Sequence, residues 1–440
     1  MFKTIRNAWK IQDLRNKLIF TVIMLLLYRV GSGILLPFLN PTAVAAAMNT
    51  NNIDPNSIQS VLNVINSMTG GNLGQTTLFA LGVQPYINSS IIIQLLTAVI
   101  PALERLSKEG EEGQKKMQAI TRWTALGLAV LQSVAYYIFM LNNDFLRSGL
   151  NTFESIVCAL MIIAMLIAGA MLVVWMGEEI DRRGIGNGVS LLIFAGIVAR
   201  LPQMMYELYV YFRLGIEQPN YAYLVGSPIM LVLYLAMIVA VVWMSAAERR
   251  VPVQYAKRVV GRKQYGGQNT HLPLKVNMAG VLPIIFASSF LSLPQMIKAF
   301  AGVSDTSTFG KILNVFHSRT PVYAILYFVL IFAFTYFYST IQVNPMDMAN
   351  NIRKNSGAVP GIRPGKPTAD FIRKIVTKID FVSGLFLAII AVLPIIFGIV
   401  TGMNFAIYGT SVIIIVGVAL ELVQSMESQM MMRHYKGFLS

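Results

Sequence analysis

Long apolar runs separated by short polar breaks dominate the chain. They fall near 18–36, 76–100, 122–141, 153–176, 187–206, 227–246, 278–297, 320–342, 381–401 and 408–426. Each is about 18 to 25 residues long, the length at which a helix crosses a hydrocarbon core of about 30 Å. The pattern predicts an all-α polytopic membrane protein with ten transmembrane helices. The first run begins at Leu18 behind five basic residues, as a leader would. It has no convincing small-residue cleavage site and is followed by further runs, so it reads as a retained first helix.

Charge orients the spans. Lys3, Arg6, Lys10, Arg15 and Lys17 precede the first run, and the loop from 37 to 75 holds no Lys or Arg. Arg105, Lys108, Lys115 and Lys116 fill the next loop, with Arg122 at its edge, and most of the 35 basic residues continue to alternate this way. By the positive-inside rule both termini are cytoplasmic. Ten spans divide into two five-helix halves, the first starting inside and the second outside, an inverted arrangement common in secondary transporters. The organisation is a cytoplasmic segment at 1–17, a first half at 18–206, a second half at 207–426 and a tail at 427–440. The second half carries long cytoplasmic loops at 247–277 and 344–380.

Two stretches depart from the spanning pattern. In 55–75, Ile58, Val61, Leu62, Ile65 and Met68 recur at helical spacing before Gly70, Gly71 and Gly74. A helix of about thirteen residues is only about 20 Å long, too short to span. It either lies on the outer surface or tucks back into a cavity, where irregular backbone is tolerated. In 247–277, Val251, Val253 and Tyr255 alternate as an extended arm does. Gly261, Gly266 and Gly267 then permit sharp turns.

Composition narrows the class. The chain is 55% hydrophobic and 12% charged, with a net charge of +15. The single cysteine, Cys158, allows no internal disulfide, and the three histidines are scattered. No nucleophile–base pair, metal-ligand spacing or phosphate-cradling loop is present, so neither an enzyme nor a cofactor is expected. Within the spans the polar groups are neutral: Gln84, Asn88, Gln94, Gln132, Ser288, Ser292 and Gln295. Such residues are ordinary interhelical glue. Arg29 is the one basic residue clearly inside a span, where it either snorkels or caps helix carbonyls.

Five stretches carry a resemblance. YAKRVVGRKQYGGQNTHLPLKVNMAGVLPIIFASS, LFALGVQPYINSSIIIQLLT, GEEIDRRGIGNGVSLLIFAGIVA, NNIRKNSGAVPGIRPGKPT and YGTSVIIIVGVALE resemble the SecY/Sec61-alpha family of protein-translocation channels. They occur in the family's order and cover essentially the whole chain. The resemblance implies two five-helix halves around a central hourglass pore, closed by a short re-entrant plug helix at 57–74. The plug would be built from Ile58, Val61, Leu62, Ile65, Met68, Gly70 and Gly71. The family's apolar pore ring falls on Val83, Ile87, Ile193, Ile285 and Ile414. Val83 departs from the isoleucine often found there, which should leave the seal slightly looser or shift it to neighbours without abolishing it.

The resemblance further implies a lateral gate between helices two and three and helices seven and eight, with Asn88, Gln132 and Ser288 at its seam. Arg249, Arg250, Lys257, Arg258, Arg262, Lys263, Arg363 and Lys366 would dock a cytoplasmic partner. Pro360, Pro364 and Pro367 stiffen the tip that carries Arg363. The implied partners are the SecE and SecG membrane subunits, the SecA ATPase, the ribosome, signal peptides with their nascent secretory or membrane proteins, and the lipid bilayer. The implied location is the bacterial cytoplasmic membrane. An ion-coupled small-molecule transporter is the competing reading. Against it stand the near absence of acids within the spans and the long basic loops.

Overall fold

The computed structural model describes residues 2–40, 76–142, 145–147, 151–217, 221–255, 258–260, 263–265, 269–300, 307–316, 320–403 and 409–436. Among these residues, seven helices are long and apolar enough to cross a membrane: Glu111–Asn142, Thr152–Arg183, Gly188–Glu217, Tyr221–Ala246, Pro321–Lys354, Lys366–Thr401 and Gly409–Met431. A pair bent by 102°, Gln84–Thr97 and Pro101–Lys108, makes up to eight. Two expected spans fall short by length or composition. The first is a helix at Gln12–Gly31 that starts within the basic segment, and the apolar part of the seventh is only Leu282–Pro294.

The second expected span also differs from its sequence outline. Residues 76–82 are turns and bridges, and helix begins at Gln84. Leu36 N–H donates to the Thr76 carbonyl at 3.0 Å and Leu78 N–H to the Ile34 carbonyl at 2.8 Å, so the neighbouring backbone takes the bonds a helix would use. Gly82 adopts φ 51°, a left-handed conformation that suits glycine. Phe79 is thereby stacked on Tyr28 with ring centroids 5.7 Å apart, and Gly31 leaves the space that its ring fills.

The helices used below are α1 (Phe2–Lys10), α2 (Gln12–Gly31), α3 (Gln84–Val99), α4 (Pro101–Lys108), α5 (Glu111–Asn142), α6 (Thr152–Arg183), α7 (Gly188–Val198), α8 (Leu201–Glu217) and α9 (Tyr221–Ala246). After a β segment come α10 (Leu282–Phe300), α11 (Thr308–Asn314), α12 (Pro321–Gln342), α13 (Pro345–Lys354), α14 (Lys366–Thr401) and α15 (Gly409–Lys436). Buried apolar side chains gather in separate cores. One unites α5 with α6, through Ala129, Tyr136, Ile162 and Leu166. A second unites α9, α12 and α14, through Met230, Tyr327, Leu387 and Ala391. A third joins elements from both ends of the chain, through Met24, Val173, Leu192, Phe286 and Val418.

The expected arm is present. β1 (Glu248–Tyr255) pairs antiparallel with β4 (Asn269–Lys275), and Val251 and Val253 are buried as their alternation requires. Between them β2 (Arg258–Val260) pairs with β3 (Lys263–Tyr265). β1 also pairs with β5 (Gly357–Ala358), through Gln254 opposite Ala358 and Tyr255 opposite Gly357. The two long loops are therefore one structure. Val253 packs with Ile352, Ile372 and Val376, and Val251 with Leu274, Val359 and Ile379. Residues 344–380 accordingly hold α13, β5 and the first turns of α14 rather than loop alone.

Candidate functional site

Local capping and close glycine contacts aim α7 at the molecular centre. Gly186 takes φ 82°, and Asn187 caps the helix by accepting from the Ser190 N–H at 3.0 Å. Gly188 donates its N–H to the Asp181 carboxylate at 2.7 Å. A methyl on Gly188 would lie 2.0 Å from the Gly177 carbonyl oxygen, so only glycine permits this approach of α6 and α7. Ile193 lies on α7, behind this junction. Val83 precedes α3 at its N-terminal cap and Ile87 follows one turn later, its N–H donating to the Val83 carbonyl at 3.0 Å.

Ile285 comes from α10 and Ile414 from α15. All five side chains expected in the ring are buried and share one apolar cluster. They also line one small cavity, partly open to the exterior. Its other walls are Tyr28, Gly82, Gln84, Gly196, Ile197, Ser288, Thr410 and Ser411. The lining is aliphatic with neutral hydroxyl and amide groups. Such a wall holds no fixed charge to bind an ion and can constrict by excluding water.

The three expected seam residues are buried but are not brought to one place in this lining. Ser288 reaches the cavity while its hydroxyl donates to the Ile285 carbonyl at 2.9 Å. Asn88 is buried on α3 beside Ile87. Gln132 is buried on α5, with its Oε1 lacking a hydrogen-bond partner. A contact absent from the sequence reading joins α3 to α12: the Tyr338 hydroxyl donates to Gln94 Oε1, and Gln94 Nε2 donates to Ser90 Oγ at 3.1 Å. The Tyr338 ring also meets Phe286 of α10, centroids 5.0 Å apart. Gln94 was recognisable as a polar residue within an apolar run, whereas one tyrosine among many carried no signal.

Arg29 lies in the last turn of α2 and donates to Ser32 Oγ at 3.3 Å, so it works at a helix end. On the platform formed by the two long loops, Arg249, Arg250, Arg363 and Lys366 are exposed. The Arg363 tip is held from below by Thr368 Oγ1, which donates to the Arg363 carbonyl at 2.9 Å, and is flanked by Gly361 and Gly365 with φ 80° and 102°. Arg258 and Lys263 lie in β2 and β3, with Val260 opposite Lys263. Lys257 and Arg262 fall outside the described residues. So do the plug positions Ile58, Val61, Leu62, Ile65, Met68, Gly70 and Gly71.

Comparison with known proteins assigns the family. A family model for SecY matches residues 77–423. The protein translocase subunit SecY of Bacillus subtilis (strain 168) is 41% identical over 446 residues, covering 100% of both chains. The corresponding subunit of Thermotoga maritima is 38% identical over 100% of this chain and 98% of its own. Among solved structures, a protein-conducting channel superposes with a TM-score of 0.65 at 18% identity, covering 94% of this chain and 92% of that one. Sec61 in the canine ribosome-channel complex from the endoplasmic reticulum superposes with a TM-score of 0.62 at 16% identity over the same shares. At such identities the structures speak for the fold alone, while the full-length relatives and the family model speak for descent. The chain belongs to the SecY family.

Proposed function

We propose that the chain is a protein-conducting channel that passes unfolded secretory polypeptides across the bacterial cytoplasmic membrane. The observation that carries this reading is the convergence of Val83, Ile87, Ile193, Ile285 and Ile414, from four helices, on one cavity. A ring of branched aliphatic side chains moulds around a passing chain of any sequence and closes to water when empty. The membrane relatives are named as translocase subunits, and one structural neighbour is a channel bound to a ribosome. An ion-coupled transporter usually places ionisable groups at mid-membrane, whereas this cavity is walled by neutral ones.

In this reading residues 57–74 plug the outer side of the pore. Apolar segments leave sideways between α3 and α5 on one side and α10 and α12 on the other, near Asn88, Gln132 and Ser288. SecE and SecG accompany the chain in the membrane. The chain performs no covalent chemistry. Movement is driven by SecA or a translating ribosome docked on Arg249, Arg250, Lys257, Arg258, Arg262, Lys263, Arg363 and Lys366, and both termini face the cytoplasm. The test is site-specific photo-crosslinking during export of a stalled secretory chain. A photoreactive side chain at position 87 or 285 should capture the translocating polypeptide. One at Val232, exposed on α9, should not. Absence of capture at all five ring positions would overturn the ring assignment.

A further inference from the structure

The chain holds four tryptophans, and every one of them is largely exposed: Trp9 52%, Trp123 75%, Trp175 52% and Trp243 73%. An indole is a large amphipathic ring, favoured where apolar chains meet polar headgroups. Membrane proteins usually place such rings at both faces. Here the positions are one-sided. Trp123 opens the third apolar run beside Arg122, Trp175 closes the fourth, and Trp243 closes the sixth three residues before α9 ends. By the charge-derived orientation, all three ends are cytoplasmic. The opposite ends carry exposed Phe153, Tyr206, Tyr209 and Tyr221 instead.

Contacts in the structure tie two of these rings to one level, and chain position sets the other two beside basic segments. Arg122 of α5 donates to the Glu178 carboxylate of α6, which sets Trp123 and Trp175 near one ionic level on adjacent helices. Trp243 lies just before the chain enters β1, where the exposed Arg249 and Arg250 begin the basic platform. Trp9 belongs to α1, which is pinned to the cytoplasmic end of α15. Thr4 Oγ1 donates to Glu427 Oε1 at 3.1 Å, and buried Ala8 packs with Leu14, Ile185 and Met426. The other side of α1 exposes Arg6, Trp9 and Lys10, an arrangement suited to an interface carrying anionic headgroups.

We propose that Trp9, Trp123, Trp175 and Trp243 form a one-sided belt that seats the chain in the headgroup–glycerol zone of the cytoplasmic leaflet. The occupant of these four surfaces is phospholipid. A tryptophan belt on this face fixes depth where a cytoplasmic partner pushes. The inference rests on the orientation read from charge and not on what the channel conducts.

The test uses full-length chains that each keep one tryptophan, the other three being replaced by phenylalanine. They are reconstituted into phosphatidylcholine–phosphatidylglycerol vesicles with brominated lipid exchanged into the outer leaflet only. Added trypsin, cutting in the 255–268 arm, reports the fraction of chains with the arm outward. Each tryptophan should be quenched more by bromine near the top of the acyl chain than by bromine near its terminal methyl. The amplitude should follow the trypsin-sensitive fraction. Deeper quenching, or quenching that follows the trypsin-resistant fraction, overturns the belt. Loss of quenching when the companion membrane subunits are co-reconstituted would mark the surface as a protein interface and also overturn it. A trypsin result that contradicts the expected arm position under imposed orientation would instead remove the charge-derived topology, and pore crosslinking remains a separate readout.

Discussion

At the scale of single residues, glycine at the α6–α7 junction is a firm commitment of this sequence. A Cβ at Gly188 would meet the Gly177 carbonyl oxygen at 2.0 Å and the Ile180 Cβ at 2.8 Å, and neither is the far end of a flexible side chain. Overpacking of this kind costs about 1–3 kcal/mol. Gly188→Ala should therefore lower the thermal unfolding midpoint in detergent and displace Ile193 from the cavity. Gly127→Ala on α5 meets nothing within 4 Å and serves as the neutral control. Equal melting of the two variants would mean that α6 and α7 adjust freely. The proposed ring was suggested only by the family motifs. An isoleucine on a membrane helix looks the same whether it faces lipid, a neighbour or a pore, because all three surroundings are apolar and share one period. Geometry separates them: Ile193 lines the cavity, whereas Leu160 on α6 is 66% exposed.

At the scale of elements, long apolar helices were readable because about twenty apolar residues have few alternatives to spanning. Their ends were not. Residues 76–82 are apolar enough to extend a span, yet Thr76 takes φ 48° and Gly82 φ 51° while neighbouring backbone pairs with the strand-like segment at 34–36. Hydropathy has no information about such pairing. The two-residue strand β5 was equally invisible, since a Gly-Ala pair has no periodicity. The contact between α3 and α12 is a tertiary fact of the same kind, and it is testable. Hydrogen bonds between membrane helices average about 0.6 kcal/mol and reach about 1.7 kcal/mol in double-mutant cycles. Tyr338→Phe keeps the ring against Phe286 and removes only the hydroxyl. Gln94→Leu removes its acceptor, and the double variant should cost no more than the larger single one. Additive losses in equilibrium unfolding would show that the bond does not couple the helices. In the proposed gate, the same variants should release a marginally apolar reporter segment into lipid more often.

At the scale of the whole molecule, the basic loops act as one object. β1 links the first loop to β5 in the second, and Lys275 Nζ ties the arm to Gln424 Oε1 of α15 at 2.8 Å. The sequence displayed both loops as separate charged connections, since the pairing of Gln254 with Ala358 spans about a hundred residues and leaves no local trace. The platform is thereby joined to α14 by packing of Val251 and Val253, and to α15 by the Lys275–Gln424 bond. Arg363 isolates the electrostatic part of that argument. Its side chain is exposed, and the bond that holds the tip runs from Thr368 to its main-chain carbonyl, which any residue supplies. Arg363→Glu should therefore leave stability within about 0.5 kcal/mol, as surface substitutions usually do, while reversing the charge offered to a docked motor. Motor-driven export should fall. The binding of the motor should also lose part of its salt dependence, because surface charge pairs are screened over about 8 Å at physiological ionic strength. Arg363→Lys keeps the charge and loses only the planar fork, so it should retain more export than the glutamate variant if charge dominates. Normal export by Arg363→Glu would reduce the tip to a topological signal and move the docking site elsewhere on the platform.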